Sequence, residues 1–92
     1  MIVTTTPYIE GRHILEYKGI AMGSSEVFTG GFLSSPNSKS IRDSYKLAVK
    51  DMEEDAINLG ANAVIGVQIV FDTYNLTNCN LINVSGTAVL IE

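Results

Sequence analysis

Histidine and cysteine, the side chains that most often bind soft metal ions, each occur once in this chain, as His13 and Cys79. A structural zinc site usually takes four nitrogen or sulfur ligands, and a sequence normally shows them in closely spaced pairs. One copy of the chain cannot supply such a set. A soft-metal site would therefore need several copies, with equivalent residues meeting near a common axis. If the copies share no site, His13 is a polar edge residue and Cys79 is a loop thiol.

The densest group of charges is an acidic cluster between Asp51 and Asp55, with Glu53 and Glu54 inside it. Asp51 and Asp55 are four residues apart and would share one face of a helix. Carboxylate oxygens bind hard cations such as Ca²⁺, so this pair is a second candidate metal site. The alternative is a solvated acidic face, which is the usual meaning of a surface run of charge. The candidate metal ligands are therefore His13, Cys79, Asp51 and Asp55.

Other kinds of site have less support in the sequence. Nucleophilic catalysis needs a base beside the nucleophile and a group that orients the base, and the single histidine has no clear partner of that kind. Gly30-Gly31 comes without the Gly-Lys-Ser/Thr run of a phosphate loop. We therefore predict no catalytic residue, no enzyme activity and no cofactor site other than one for a divalent metal ion. Six Lys and Arg against ten Asp and Glu give a net charge of −4, which argues against the basic patch of a nucleic-acid-binding protein.

The composition predicts one domain, residues 1–92, that associates with copies of itself. Charged residues make up 17% of the chain, below the roughly 25% of typical soluble domains. A shortage of charge at this size indicates apolar surface that a partner buries, although a monomer with an oily surface is the alternative. The N-terminus lacks the basic and apolar regions of a signal peptide, and no apolar run approaches the ~20 residues of a membrane span. We therefore expect a soluble cytoplasmic protein without a membrane partner.

The spacing of apolar residues predicts an α+β fold with the order β-α-β-β in two layers. The strands are expected at His13–Met22, Ala63–Phe71 and Leu81–Ile91, and the helix at Ile41–Leu59. Apolar residues three or four apart form one stripe on this helix: Ile41, Tyr45, Ala48, Met52, Ala56 and Leu59. Gly60 suits the position after the helix, and Gly23–Lys39 and Asp72–Asn80 are expected to be loops.

The predicted helix would cover one face of the sheet and leave the other face bare in a single copy. Strict alternation would place all odd-numbered residues of Ala63–Phe71 on one face, and both faces of this strand are largely apolar, as in a strand buried on both sides. The same alternation would put Tyr17 and Ala21 on a common face. Val27 and Phe28 fall in a predicted loop and also need cover. These features again favour an oligomer.

Several stretches together resemble one known family. They are Thr5-Thr6-Pro7 with Gly11, the run Glu16-Tyr17-Lys18-Gly19-Ile20-Ala21-Met22-Gly23, the run Leu59-Gly60-Ala61-Asn62-Ala63-Val64-Ile65-Gly66-Val67, and Val84-Ser85-Gly86-Thr87-Ala88-Val89. In order and spacing the chain resembles the YbjQ-like family of "putative heavy-metal-binding" domains. Tyr45 is similar to that family's tyrosine in the first helical turns. Some relatives have Cys where this chain has Lys18, and many have a longer segment before the helix.

The resemblance implies a β-α-β-β subunit of the dodecin-subunit-like type, assembled as a homopentameric ring. It also implies a small oligomeric protein that binds heavy metal, with any site shared between subunits. Two other functions stay open on the residues themselves. One is a structural or interaction ring without a metal, and the other is an oligomer that binds a small molecule.

Overall fold

The computed structural model describes residues 1–28, 38–74 and 79–92, which form one mixed sheet and one helix. In chain order the elements are β1 (Ile2–Val3), β2 (Ile14–Phe28), α1 (Ser38–Asn58), β3 (Ala63–Tyr74) and β4 (Cys79–Ile91). The strand order is β1-β3-β4-β2, and only the β1–β3 pair is parallel. The α+β prediction is confirmed. The short strand β1 is an addition to the predicted β-α-β-β order, because two residues are too few to show an alternating pattern.

The predicted end of the first long strand at Met22 is wrong, because β2 continues to Phe28. Along this extension Ser24 and Glu26 lie opposite Asn83 and Leu81 of β4, which gives their backbone a partner. Gly23 therefore lies inside a strand and does not mark a turn. A Cβ atom at Gly23 would lie only 2.2 Å from the carbonyl oxygen of Ala48. A glycine is needed here because the helix backbone passes directly over the strand.

The predicted faces of the strands are wrong wherever a bulge interrupts the alternation. In β3 the pairing with β4 shifts between Ile65 and Gln68, and Gly66 in this bulge has a φ of 60°. One extra residue in a strand moves every later side chain to the opposite face. Ile65 accordingly packs on the face away from α1, whereas Val67 packs under α1. A second shift between Tyr17 and Gly19 separates Tyr17 from Ala21 in the same way.

The helix packs on the sheet through small residues. Ala48, Met52 and Ala56 are fully buried, and they lie in one cluster with Ile82 and Val84 of β4. The two alanines have small side chains and Gly23 has none, and together they allow the helix to approach the sheet closely. The predicted stripe is thus confirmed at its centre. Leu59 is the exception, because it lies beyond the end of α1 and is 37% exposed.

The C-terminus of α1 is closed by a Schellman motif. The N–H of Gly60 donates to the carbonyl of Ile57, and the N–H of Ala61 donates to the carbonyl of Ala56. Gly60 has a φ of 86°, in the left-handed region that this motif requires. The prediction that Gly60 follows the helix is therefore confirmed.

The face of the sheet away from α1 is partly covered by the N-terminal segment. Ala63, Ile65, Val89 and Ile91 are buried there, with Ile9 and Ile14 packed against them. The expectation of a fully bare second face is therefore wrong at this end of the sheet. Farther along β2 the same face remains exposed. In the described parts of the chain, no helix has both the length and the apolar character that crossing a membrane would need.

Candidate functional site

Asp51 and Asp55 lie together on α1 and point at the backbone of β2. The Asp55 Oδ2 atom accepts a hydrogen bond of 2.9 Å from the N–H of Met22. The Asp51 Oδ2 atom accepts one of 3.1 Å from the N–H of Ser24. The spacing of four residues on the helix thus matches the spacing of two residues on the strand. The predicted pairing of the two carboxylates on one helix face is confirmed.

These two hydrogen bonds cover part of the outer edge of the sheet at β2. Alternate residues of an edge strand direct their N–H groups away from the neighbouring strand, where another chain could pair with them. Met22 and Ser24 are such residues, and the carboxylates occupy their N–H groups. The donors also supply positive partial charge to two acids in the second half of a helix, where the macrodipole alone disfavours negative charge. A structural role therefore explains why acids stand at these positions.

A groove of about 670 Å³ runs beside the carboxylate pair. Its lining includes Ser24 from β2, Glu54 and Asn58 from α1, and both aspartates. The lining side chains offer mainly oxygen atoms, which suit a hard cation better than a soft one. Within the ranges that the structure describes, however, no three His, Cys, Asp or Glu side chains are grouped closely enough to hold a metal ion.

His13 and Cys79 do not come together in one copy of the chain. His13 immediately precedes β2 beside the C-terminus, where its carbonyl accepts a hydrogen bond from the N–H of Glu92. Cys79 begins β4 at the opposite end, and its side chain lies outside the described residues. The 13 residues of β4, at about 3.3 Å each, span roughly 40 Å. The two residues are therefore far apart, and they cannot belong to one site within a single copy of the chain.

Lys18 has a role that the sequence did not indicate. Its ammonium group pairs with Glu16 and lies beside Gly60, at the C-terminal end of α1. The last turn of α1 carries no basic residue of its own, and a cation at this end favours the helix dipole. The contact joins residues 42 positions apart in the numbering, so no local pattern could have indicated it.

Comparison with known proteins places the chain in a family. A sequence model of the YbjQ family, described as "putative heavy-metal-binding", matches residues 26–92. This chain belongs to the YbjQ family. The resemblance found in the sequence is thereby confirmed. The match begins near the end of β2 and includes α1, β3 and β4, so it covers the helix that carries Asp51 and Asp55.

Curated relatives match over the full length of the chain. A UPF0145 protein of Listeria ivanovii is 41% identical, and the alignment covers 100% of this chain and 96% of the relative. A UPF0145 protein of Clostridium botulinum strain Eklund 17B is 40% identical, with 100% of both chains covered. Each alignment runs over 108 positions, more than the 92 residues of this chain. These relatives therefore carry residues that this chain lacks.

The fold also occurs in a solved structure. It is the crystal structure of a protein of unknown function from Pediococcus pentosaceus, assigned to the DUF74 family. The two chains align with a TM-score of 0.72 and 18% identity, over 100% of this chain and 98% of the other. At that level of identity the likeness concerns the fold alone.

Proposed function

We propose that this chain binds a divalent metal ion as an assembly of several identical copies, at a site to which more than one copy contributes ligands. The carrying observation is that the candidate ligands of one copy are dispersed. His13 and Cys79 stand at opposite ends of β4, and the described residues include no group of three ligating side chains. The family description supports metal binding. Together these two facts favour a site completed by a second copy.

The carboxylate pair is the best-defined part of such a site. The backbone of β2 occupies one oxygen of each aspartate, Oδ2 in both cases. The hydrogen bonds between described residues that involve these carboxylates use Oδ2 alone, and both aspartates line the groove. Ca²⁺ takes 6–8 oxygen ligands in all. Donors from a neighbouring copy would have to supply most of the remainder. A soft ion would instead need imidazole or thiolate from several copies, which a ring supplies by repeating His13 or Cys79 around its axis.

The proposed assembly is a closed homopentamer without enzymatic activity. A ring buries the apolar surface of every copy and leaves no unpaired end, whereas an open arrangement would continue to add subunits. The low content of charged residues and the exposed apolar side chains described below support self-association. The number five comes from the resemblance to the family, and mass measurement tests it directly.

A structural ring without a metal is the second candidate function, because Asp51 and Asp55 already have structural partners. Two hydrogen bonds to the edge of β2 account for both side chains without any ligand. The two candidate functions predict different effects when the negative charge of Asp51 and Asp55 is removed. Asparagine keeps a carbonyl oxygen that can accept the same hydrogen bonds, but it loses the negative charge that attracts a cation.

Titration of the intact assembly with Ca²⁺ and with Zn²⁺, followed by calorimetry and native mass spectrometry, tests the proposal. We expect the assembly to bind at most one ion per copy. This binding should be lost when the assembly is diluted to single copies. The double variant Asp51→Asn/Asp55→Asn should weaken Ca²⁺ binding at least tenfold. Asp43→Asn, an exposed acid on the same helix, is the matched control and should bind as the wild type does.

Three results would contradict shared metal binding. The first is undiminished tight binding by single copies, and the second is no binding of either ion by the intact assembly. The third has two parts: the carboxylate variants bind Ca²⁺ with the same affinity as the wild type, and His13→Ala and Cys79→Ser leave Zn²⁺ binding unchanged. The second result would favour the structural ring.

A further inference from the structure

The exposed large apolar side chains of the sheet, which also include Leu15 and Val70, contain two groups whose members share a face. The first group, which we name the β2 stripe, consists of Tyr17, Ile20 and Met22. These side chains are between 61% and 71% exposed. They lie opposite Val89, Thr87 and Ser85, which alternate along β4 and therefore share the face away from α1. The β2 stripe is thus a continuous apolar row on the open face of the sheet.

The second group, which we name the β3 patch, consists of Ile69 and Phe71. They are 48% and 45% exposed, and they lie opposite Val84 and Ile82, which are buried under α1. The β3 patch is therefore on the helix side of the sheet. It is exposed because α1 packs mainly over β2 and β4 and hardly reaches β3. The bulge at Gly66 is what turns these two side chains to this side.

The backbone next to the β3 patch is also unpaired on its outer side. β1 pairs with β3 only at Ala63 and Val64, and the N–H groups of Gly66 and Val67 donate to Thr6 and Thr4. From Gln68 to Tyr74, β3 has no strand neighbour on this side among the described residues. The opposite edge of the sheet differs at Met22 and Ser24 of β2, where Asp55 and Asp51 occupy the outward N–H groups. Near Met22 and Ser24, a contact with β2 is therefore expected to use the face of the strand, whereas a contact with β3 can use both its free backbone edge and its side chains.

The area that one copy exposes leaves room for an interface with a second copy. The chain exposes 6068 Å², whereas a compact monomer of 9.9 kDa is expected to expose about 5200 Å². Its radius of gyration is 15.1 Å, against about 12 Å for a compact domain of this length. The excess area is comparable to the ~800 Å² that each partner contributes to a stable interface.

We infer that the β3 patch of one copy docks on the β2 stripe of the next copy. The two surfaces lie at opposite edges and on opposite faces of the sheet, so one twofold partner cannot cover both. A head-to-tail contact covers both with a single type of interface, and its repetition forms a ring where the rotation between neighbouring copies closes. This inference rests on the proposed self-association. It adds which surfaces of neighbouring copies meet, and that they meet head to tail.

A mixing experiment with two variants tests the inference. Phe71→Glu damages only the β3 patch and Ile20→Glu only the β2 stripe, and each variant alone should sediment as a single copy. An equimolar mixture still contains one intact β3 patch and one intact β2 stripe, so it should form a dimer of twice the subunit mass and no ring. Leu47→Glu, at an exposed position on the outer side of α1, is the control and should assemble as the wild type does. Circular dichroism checks that each variant is folded.

The outcomes separate this inference from the proposed function. A wild-type protein that stays a single copy at all concentrations removes the proposed assembly itself. A wild-type oligomer whose mass Phe71→Glu and Ile20→Glu leave unchanged shows that other surfaces meet. An oligomer that both variants dissociate, but whose mixture stays monomeric, shows that each surface pairs with itself. Ile69→Lys with Met22→Lys repeats the design if one of the first variants does not fold.

Discussion

Gly23 and Gly66 both lack a side chain, but for different physical reasons. At Gly23 the backbone conformation is ordinary and space is missing, because an added Cβ atom would lie 2.2 Å from the Ala48 carbonyl oxygen. At Gly66 the space is free, and the constraint is a φ of 60° that only glycine adopts without cost. The first glycine sets the distance between helix and sheet, and the second sets which side of β3 faces the helix.

These two causes predict different responses to substitution. Gly23→Ala should lower the free energy of unfolding by about 1–3 kcal/mol through overpacking, and Gly23→Asn should cost more because the side chain is larger. Gly66→Ala should cost about 1–2 kcal/mol through left-handed strain, and Gly66→Asn should cost less because asparagine tolerates this conformation. Urea unfolding at one fixed protein concentration measures all four. Equal costs for Ala and Asn at position 66 would contradict the conformational explanation.

At the scale of elements, the contact between α1 and the sheet centres on Met52, the largest of the fully buried side chains. Met52→Ala should lower the free energy of unfolding by about 2–4 kcal/mol, from lost burial and from the cavity left behind. Leu47→Ala, on the exposed side of the same helix, should change it by less than about 0.5 kcal/mol. Thermal and urea unfolding of both variants provide the measurement. A small effect at Met52 would place the apolar stripe of α1 in solvent.

The elements that could be predicted are those with an uninterrupted period. The stripe through Ala48, Met52 and Ala56 repeats over several turns, and the strand Leu81–Ile91 alternates without a break. Both elements are therefore predicted, although α1 begins at Ser38 and β4 at Cys79, before the predicted starts. The bulges at Gly66 and after Tyr17 could not be predicted, since each is a single extra residue whose position depends on the partner strand. A glycine in a strand is compatible with a bulge, a turn or a close approach, and local sequence does not distinguish these.

The candidate site was predictable in the same limited sense. The spacing of Asp51 and Asp55 placed them on one helix face, but their acceptor role depends on Met22 and Ser24, about 30 residues earlier in the chain. The extension of β2 beyond Met22 could not be predicted either, because Gly23 and the serines after it have the composition of a turn. Their pairing with β4 is a long-range contact, and composition carries no information about it.

At the scale of the whole molecule, charge opposes assembly while apolar surface favours it. Each copy carries a net charge of −4, so a ring concentrates negative charge. Salt at physiological strength screens exposed charges beyond about 8 Å, whereas the proposed apolar contacts of the β2 stripe with the β3 patch would not depend on this screening. The association constant should therefore rise from low to physiological ionic strength. Sedimentation equilibrium in both buffers measures it, and a fall would show that ion pairs between copies hold the assembly together.

The elongated outline of a single copy has a consequence for how it moves in solution. Its principal dimensions are 50 × 21 × 15 Å, and a long particle meets more friction than a sphere of equal mass. A detached copy will therefore diffuse slowly and leave a gel-filtration column early, at the position of a heavier globular standard. Calibrated against such standards, a dissociated variant would appear heavier than one copy. The proposed closed ring would be rounder than one copy, so the change in elution on dissociation would be smaller than the change in mass suggests.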